Sequence, residues 1–137
     1  MNLHRRLHRE QDGQSATEFA IVLPVFCLLL FAVIQFGILF NNYLTLTDAV
    51  RAGARTAAVS RLEGNPEGVA TTRVRSAAGA LNGADDPAVL KVDVSAPDGW
   101  EHGEDVIVEA SYPYSINLLG FVAADGMLTS KTTERVE

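Results

Sequence analysis

Cysteine and histidine are scarce in this chain, and their scarcity excludes several classes of protein. The 137 residues contain one cysteine, Cys27, and three histidines, so neither an internal disulfide nor a Cys/His metal cluster can form. The chain is also short, and any membrane segment leaves still less of it for a water-soluble core. We therefore expect no enzyme with a large cleft, no metal and no cofactor.

Positive charge is scarce in the C-terminal part. The formal net charge is -6, and residues 84–137 hold eleven Asp and Glu against Lys91, Lys131 and Arg135, a local net charge of -8. Such a surface repels phosphate groups. We therefore expect no nucleic-acid partner.

What the sequence does contain is one long apolar run. Phe19–Phe40 holds 22 residues without a charge, which as a helix is about 33 Å long, enough to cross a bilayer. Pro24 predicts a kink near residues 20–24, because proline removes a backbone donor. Two alternatives are a buried core helix, which is rarely apolar on all sides, and a cleaved signal peptide, which the length of the run and the following Asn41–Tyr43 disfavour. The counts of basic residues before and after the run are equal and give no orientation.

The helical pattern continues past this run. Spacings of three and four predict one helix unbroken to about Leu62, with an apolar stripe at Phe36, Leu39, Tyr43, Leu46, Val50, Gly53 and Ala57. The opposite face comprises Asn42, Thr45, Asp48, Arg51 and Arg55, with an Asp48–Arg51 ion pair. Small residues suited to close helix packing are Gly37, Ala49, Gly53 and Ala57. Their partner is either another helix or the chain's own sheet.

The remaining sequence predicts a short helix and a small sheet. Asn65 is the expected cap of the second helix, which ends at Gly83. Alternation with a period of two predicts strands around residues 90–95 and 106–114, joined as an antiparallel hairpin whose loop holds Trp100 and His102. A third, polar strand is expected from Leu128 to Val136. The predicted fold class is α+β, with the sheet packed on the amphipathic half of the long helix.

Three motifs in the first 60 residues carry a family resemblance. They are GQSATEFAIVLP at Gly13–Pro24, QFG at Gln35–Gly37 and AVRAGAR at Ala49–Arg55. In these motifs the chain resembles the TadE-like family of the tight-adherence (Tad/Flp) pilus system. The long helix with its membrane and amphipathic halves is then pilin-like.

The resemblance implies processing and a place in the cell. A prepilin peptidase would cut between Gly13 and Gln14, which divides the chain into a cytoplasmic leader (1–13), a long helix (14–62) with a span at 19–40, and an extracytoplasmic α+β domain (63–137). The protein would be a minor pilin or pseudopilin, since the main Flp pilin is much shorter. It would lie in a bacterial inner membrane with its C-terminus in the periplasm, or in the pilus. Implied partners are the peptidase, pilin-like subunits, Tad assembly proteins and membrane lipid.

By analogy with type IV pilins, Glu18 and Phe19 would take part in subunit assembly. An unpaired carboxylate deep in a membrane costs roughly 2.5–3.5 kcal/mol, and a neighbouring subunit's free α-amine would neutralise it. The alternative is an acid that reaches the lipid headgroups or is stabilised by the helix dipole. Two departures bear on this role: Gln35 stands where related sequences often have an acid, and an N-terminal Gln14 can cyclise, which removes the amine.

Two other functions stay open. The first is an uncleaved single-pass scaffold of the envelope assembly machinery. The second is a membrane-tethered enzyme, for which His102 has no nearby cysteine. The acidic residues Glu101, Glu104 and Asp105 lack the ligand spacing of a calcium loop and are expected to be solvated.

Overall fold

The computed structural model describes residues 3–118 and 120–137, with side chains from residue 14 onward. Two helices precede three strands: α1 (Leu3–Val59), α2 (Pro66–Ala77), β1 (Lys91–Ser95), β2 (Asp105–Leu118) and β3 (Phe121–Arg135). The predicted α+β class, with one long N-terminal helix, a short second helix and an antiparallel sheet, is confirmed.

The helix α1 extends over 57 residues and continues through Pro24 without interruption. It ends at Val59, close to the predicted Leu62, and the amide of Ser60 then donates to the carbonyl of Ala57 at 3.1 Å. The predicted ion pair is present, with 3.8 Å between Arg51 Nη1 and Asp48 Oδ1. Both side chains are well exposed, so the pair contributes little to stability. The kink at Pro24 stays a prediction.

The helix α2 begins as predicted but ends earlier. The side chain of Asn65 accepts a hydrogen bond from the amide of Gly68 at 3.0 Å, and Pro66 is the first helical residue. The prediction that the helix reaches Gly83 is wrong, because the chain leaves it after Ala77 and passes through a series of turns. Gly83 lies in one of those turns with a φ of +76°, a conformation that glycine adopts without strain.

The sheet has the order β1-β2-β3, and both pairs are antiparallel. The predicted hairpin of the first two strands is confirmed, with Trp100 and His102 in its loop. The third strand is longer than predicted: it begins at Phe121 rather than Leu128, and it pairs with β2 from Asp105↔Arg135 to Leu118↔Phe121. Because β1 pairs with β2 only as far as Ser111, the second hairpin extends beyond the three-stranded part.

One core joins the upper half of α1, from Leu46 onward, to α2 and the sheet. Its fully buried large side chains are Leu46, Val50, Val74, Leu90, Val106, Val108 and Val136. The hydroxyl of Tyr112 donates to the carbonyl of Asn82 at 3.1 Å, which ties β2 to the turns after α2. The prediction that the sheet packs on the amphipathic half of the long helix is confirmed.

The lower part of the predicted stripe on α1 needs correction. Phe36 and Tyr43 are 66% and 42% exposed, whereas Gln35 and Asn42 are half-buried. Thr45, expected on the outer face, is also half-buried. In this stretch the sheet lies over a face that combines polar and apolar side chains, so a stripe drawn through apolar residues alone has the wrong direction.

Candidate functional site

The lower half of α1, which contains the apolar run from Phe19 to Phe40, is bare: it is not covered by the rest of the described chain. Among the described residues, α1 is the one helix that is long and apolar enough to cross a membrane, and no residue of its most apolar window is buried. From Phe19 to Phe40, every large apolar side chain except Leu39 is at least 41% exposed. Water would destabilise such a surface, so this half of the helix requires lipid or neighbouring helices around it.

The predicted processing and assembly residues lie at the start of this bare segment. The bond between Gly13 and Gln14 lies inside α1, while the rest of the predicted leader includes residues 1 and 2, which lie outside the described residues. The amide Nε2 of Gln14 donates to Oε1 of Glu18 at 3.1 Å. Gln14, Glu18 and Phe19 are all exposed, so their surroundings are open to another molecule.

The small residues of α1 are divided between two surfaces. Ala49, Gly53 and Ala57 are buried against the chain's own α2 and sheet. At Gly53 the approach is closest, because an added Cβ would overlap Cγ2 of Val74. Gly37 instead faces outward, and an added Cβ there would meet nothing within 4 Å. No side chain of the described residues packs on Gly37, so its role in helix packing stays a prediction.

A groove lies where the bare and covered halves of α1 meet. Gln35, Ile38, Leu39 and Asn42 line it on the helix, and Tyr112–Ser115 of β2 line it on the sheet. The sequence does not predict this contact, because its period-two alternation ends at Tyr114 and the next strand is expected only from Leu128, which leaves residues 115–127 without a predicted element. The signal that was available is a second uncharged stretch, residues 111–124, which is too short to span a membrane.

The acidic surface beyond the membrane segment makes cross-strand ion pairs. Asp105 pairs with Arg135 at 3.7 Å and Glu109 with Lys131 at 4.0 Å. These pairs are solvent-exposed and contribute little. In the described part of the chain, no three His, Cys, Asp or Glu side chains lie together in a way that suits a metal ion.

A helix that is uncovered and apolar at one end and packed against a small sheet at the other indicates a membrane anchor joined to a small α+β domain. Residues 13–55 match the model of the family described as TadE-like protein, which confirms the resemblance predicted from the sequence. No match was found among curated proteins or among solved structures. The matched segment extends from Gly13 through the bare half of α1 to Arg55, and it indicates a protein associated with the Tad pilus, a structural and assembly system.

Proposed function

We propose that this protein is a minor pilin or pseudopilin of a Tad/Flp-type pilus. In this proposal it is stored in a bacterial inner membrane, cut by a prepilin peptidase between Gly13 and Gln14, and moved into or onto the fibre, where it supports assembly, adhesion or secretion. The observation that carries the proposal is the bare apolar half of α1, which lies within the TadE-like segment and continues without a break into a covered half.

The bare half of α1 suits a subunit that changes its surroundings. Lipid covers its exposed apolar side chains in the membrane, and helices of neighbouring subunits cover them in a fibre. The outward-facing Gly37 allows such helices to approach closely. The covered half carries its own core and keeps its structure in both places.

The start of the bare segment suits a contact between subunits. In the uncut chain, the side-chain amide of Gln14 is a partner of the Glu18 carboxylate. Cleavage before Gln14 creates a charged α-amine, and the amine of a neighbouring subunit is a stronger partner for a carboxylate in a low-dielectric fibre core. Glu18 would then fix the axial position of one subunit against the next, with Phe19 packing beside it.

Orientation and partners follow from the same proposal. The leader lies in the cytoplasm, where the peptidase acts, and the acidic sheet lies in the periplasm or at the pilus surface. Other pilin-like subunits and the Tad assembly proteins are the expected protein partners. No catalytic role is assigned to any residue.

The test is the intact mass and N-terminal sequence of the protein purified from membranes of its own host. We expect a chain that starts at Gln14, whether free, methylated or cyclised. Gly13→Ala should leave the chain uncut, because it adds a side chain at the proposed cleavage bond. Gly64→Ala is the control, since an added Cβ at Gly64 meets nothing within 4 Å, and this variant should be cut normally. Normal processing of Gly13→Ala would contradict the proposed cleavage site.

One observation favours the alternative, an uncleaved single-pass scaffold of the envelope assembly machinery. The helix α1 begins at Leu3 and passes through the Gly13–Gln14 bond without a break. A peptidase would have to unwind this segment, whereas a fixed scaffold would keep it. A wild-type chain that still begins at Met1 in the host membrane would favour the scaffold and leave Glu18 as an ordinary acid near a helix end.

A further inference from the structure

The second hairpin follows α1 toward its bare half. Near the C-terminal end of α1, the amide of Glu137 donates to the carbonyl of Ala58. Ten residues along β2 from Asp105, Ser115 lies in the groove with Leu39. Ten strand residues span about 33 Å, and the 19 helix residues from Ala58 to Leu39 span about 29 Å. Strand and helix therefore run side by side, and Ser115 lies at the level of the last turn of the apolar run.

Beyond Ser115, the second hairpin stays beside α1 in the direction of the N-terminus of the helix. In β2, residues 114, 116 and 118 are half-buried while residues 113, 115 and 117 are exposed, so the face covered higher up by the helix remains partly covered. On α1 the half-buried residues continue downward through Leu39, Gln35 and Ala32, at helical spacing. From Ser115 to Leu118 the strand advances roughly 10 Å further. The end of the hairpin thus lies beside the part of α1 that requires lipid or neighbouring helices.

This end of the hairpin is apolar, and its two large side chains on β3 are exposed. We call Leu118, Phe121 and Val122 the hairpin tip; Phe121 is 79% and Val122 62% exposed. No charged residue occurs from Ser111 to Ala124, although the chain from residue 84 onward carries a net charge of -8. Tyr114 lies just above the tip, with its ring over Gly126, at the level where aromatic side chains commonly mark a membrane boundary.

We propose that the hairpin tip enters the bilayer that α1 spans, on the side where the sheet lies, and reaches the outer part of the acyl-chain region, roughly 10 Å below the level of Leu39. The arrangement of β2 along α1 places the tip at that depth. The tip does not reach the hydrocarbon centre, because β2 below Ser111 and β3 have strand edges without a sheet neighbour, and their backbone groups still need water or headgroups. This second contact would fix the rotation and tilt of α1.

The proposal rests on the membrane anchor and is independent of processing and pilus assembly. Lipid is the occupant that the level of the tip indicates, since the tip is beside helix residues that lipid surrounds while the subunit is in the membrane. Exposed apolar side chains at that depth gain by leaving water, and the absence of charge removes the cost of desolvating an ion.

The test uses the full-length chain in phosphatidylcholine vesicles, with Cys27→Ser to remove the native thiol. An environment-sensitive fluorophore is attached at Phe121→Cys in one protein and at Thr133→Cys in a matched control. Thr133 is exposed on the same strand, near the end that is far from the tip. We expect a blue-shifted emission at position 121 that lipids with a spin label in the upper part of the acyl chain quench strongly, and neither effect at position 133.

Two results would overturn the proposal. Equal, water-like emission at both positions would place the tip in solvent. A blue shift at position 121 without lipid quenching would place the tip against another copy of the chain. Neither result would bear on the N-terminal mass in the host, so failure of this proposal is distinguishable from failure of the proposed function.

Discussion

The contact between α1 and α2 at Gly53 provides a sharp test of the packing. A Cβ added there would overlap Cγ2 of Val74 and would approach the carbonyl oxygen of Ala70 to 3.4 Å. Val74 is fully buried and lies inside α2. Its β-branched side chain has one strongly preferred rotamer in a helix, so it cannot turn away without strain. Gly53→Ala should therefore force the two helices apart.

The expected change in the free energy of unfolding is the difference between a gain in helix propensity and a cost of overpacking. Alanine is favoured over glycine inside a helix by about 1 kcal/mol. Overpacking of a core costs about 1–3 kcal/mol, and the overlap with a fully buried methyl group points to the upper part of that range. The net loss in the free energy of unfolding is then about 2 kcal/mol.

The assay is urea unfolding of the full chain in detergent micelles, followed by fluorescence of Trp100. This is the one tryptophan of the sequence, and it packs against the core. With a urea dependence of about 1–3 kcal/mol per M, the midpoint for Gly53→Ala should fall by roughly 1 M. Gly37→Ala is the control on the same helix, and its midpoint should not fall, because an added Cβ there has open space.

The unfolding midpoint of Gly53→Ala can contradict this description of the helix packing. If Gly53→Ala unfolds at or above the wild-type midpoint, the helices do not approach as described. A double-mutant cycle gives a second check: in a Val74→Ala background the clash is gone, so Gly53→Ala should cost clearly less than it does alone. Equal costs in both backgrounds would show that Val74 is not the residue that resists the added methyl group.

Two further predictions concern assembly and the tie between β2 and the turns. Glu18→Ala should be processed normally but should be depleted from sheared pili relative to membranes. The control is Asp48→Ala, which removes an exposed acid on the same helix and should enter pili normally. Equal amounts of the two variants in pili would argue against a role for Glu18. Tyr112→Phe removes the hydroxyl that donates to Asn82 and should lower the free energy of unfolding by about 1 kcal/mol in the same urea assay, and an unchanged midpoint would contradict that contribution.

Local chemistry made much of the fold predictable from the sequence. The uncharged run and its continuation predicted one long helix, Asn65 predicted the start of α2 through its side-chain cap, and the alternation around Val106 and Val108 predicted a half-buried strand. Each of these signals acts within a few residues. Each was confirmed because the pattern that carries it lies within the element itself, whatever surface the element then packs against.

The errors arose where the apolar pattern carries no information. In a segment made to be surrounded by lipid, nearly every side chain is apolar, so the sequence cannot show that Gln35 rather than Phe36 faces the sheet. The same holds for the second hairpin near its turn, where the run from Ile116 to Ala124 lacks polar alternation, so the third strand begins earlier than the sequence predicts. The role of Gly13 and Glu18 depends on a second molecule and rests on the family match.

The continuity of α1 also has a mechanical consequence. Because α2 and the sheet share one core with the upper half of the helix, they move with it, and the helix acts as a lever that has one arm in the membrane and one outside it. From Phe40 to Val59 the upper arm is about 29 Å long. A change of helix tilt by 20°, an ordinary value for a membrane helix, would displace the far end of the sheet by roughly 10 Å. A change in the tilt of the bare segment is thereby converted into a movement of the acidic surface.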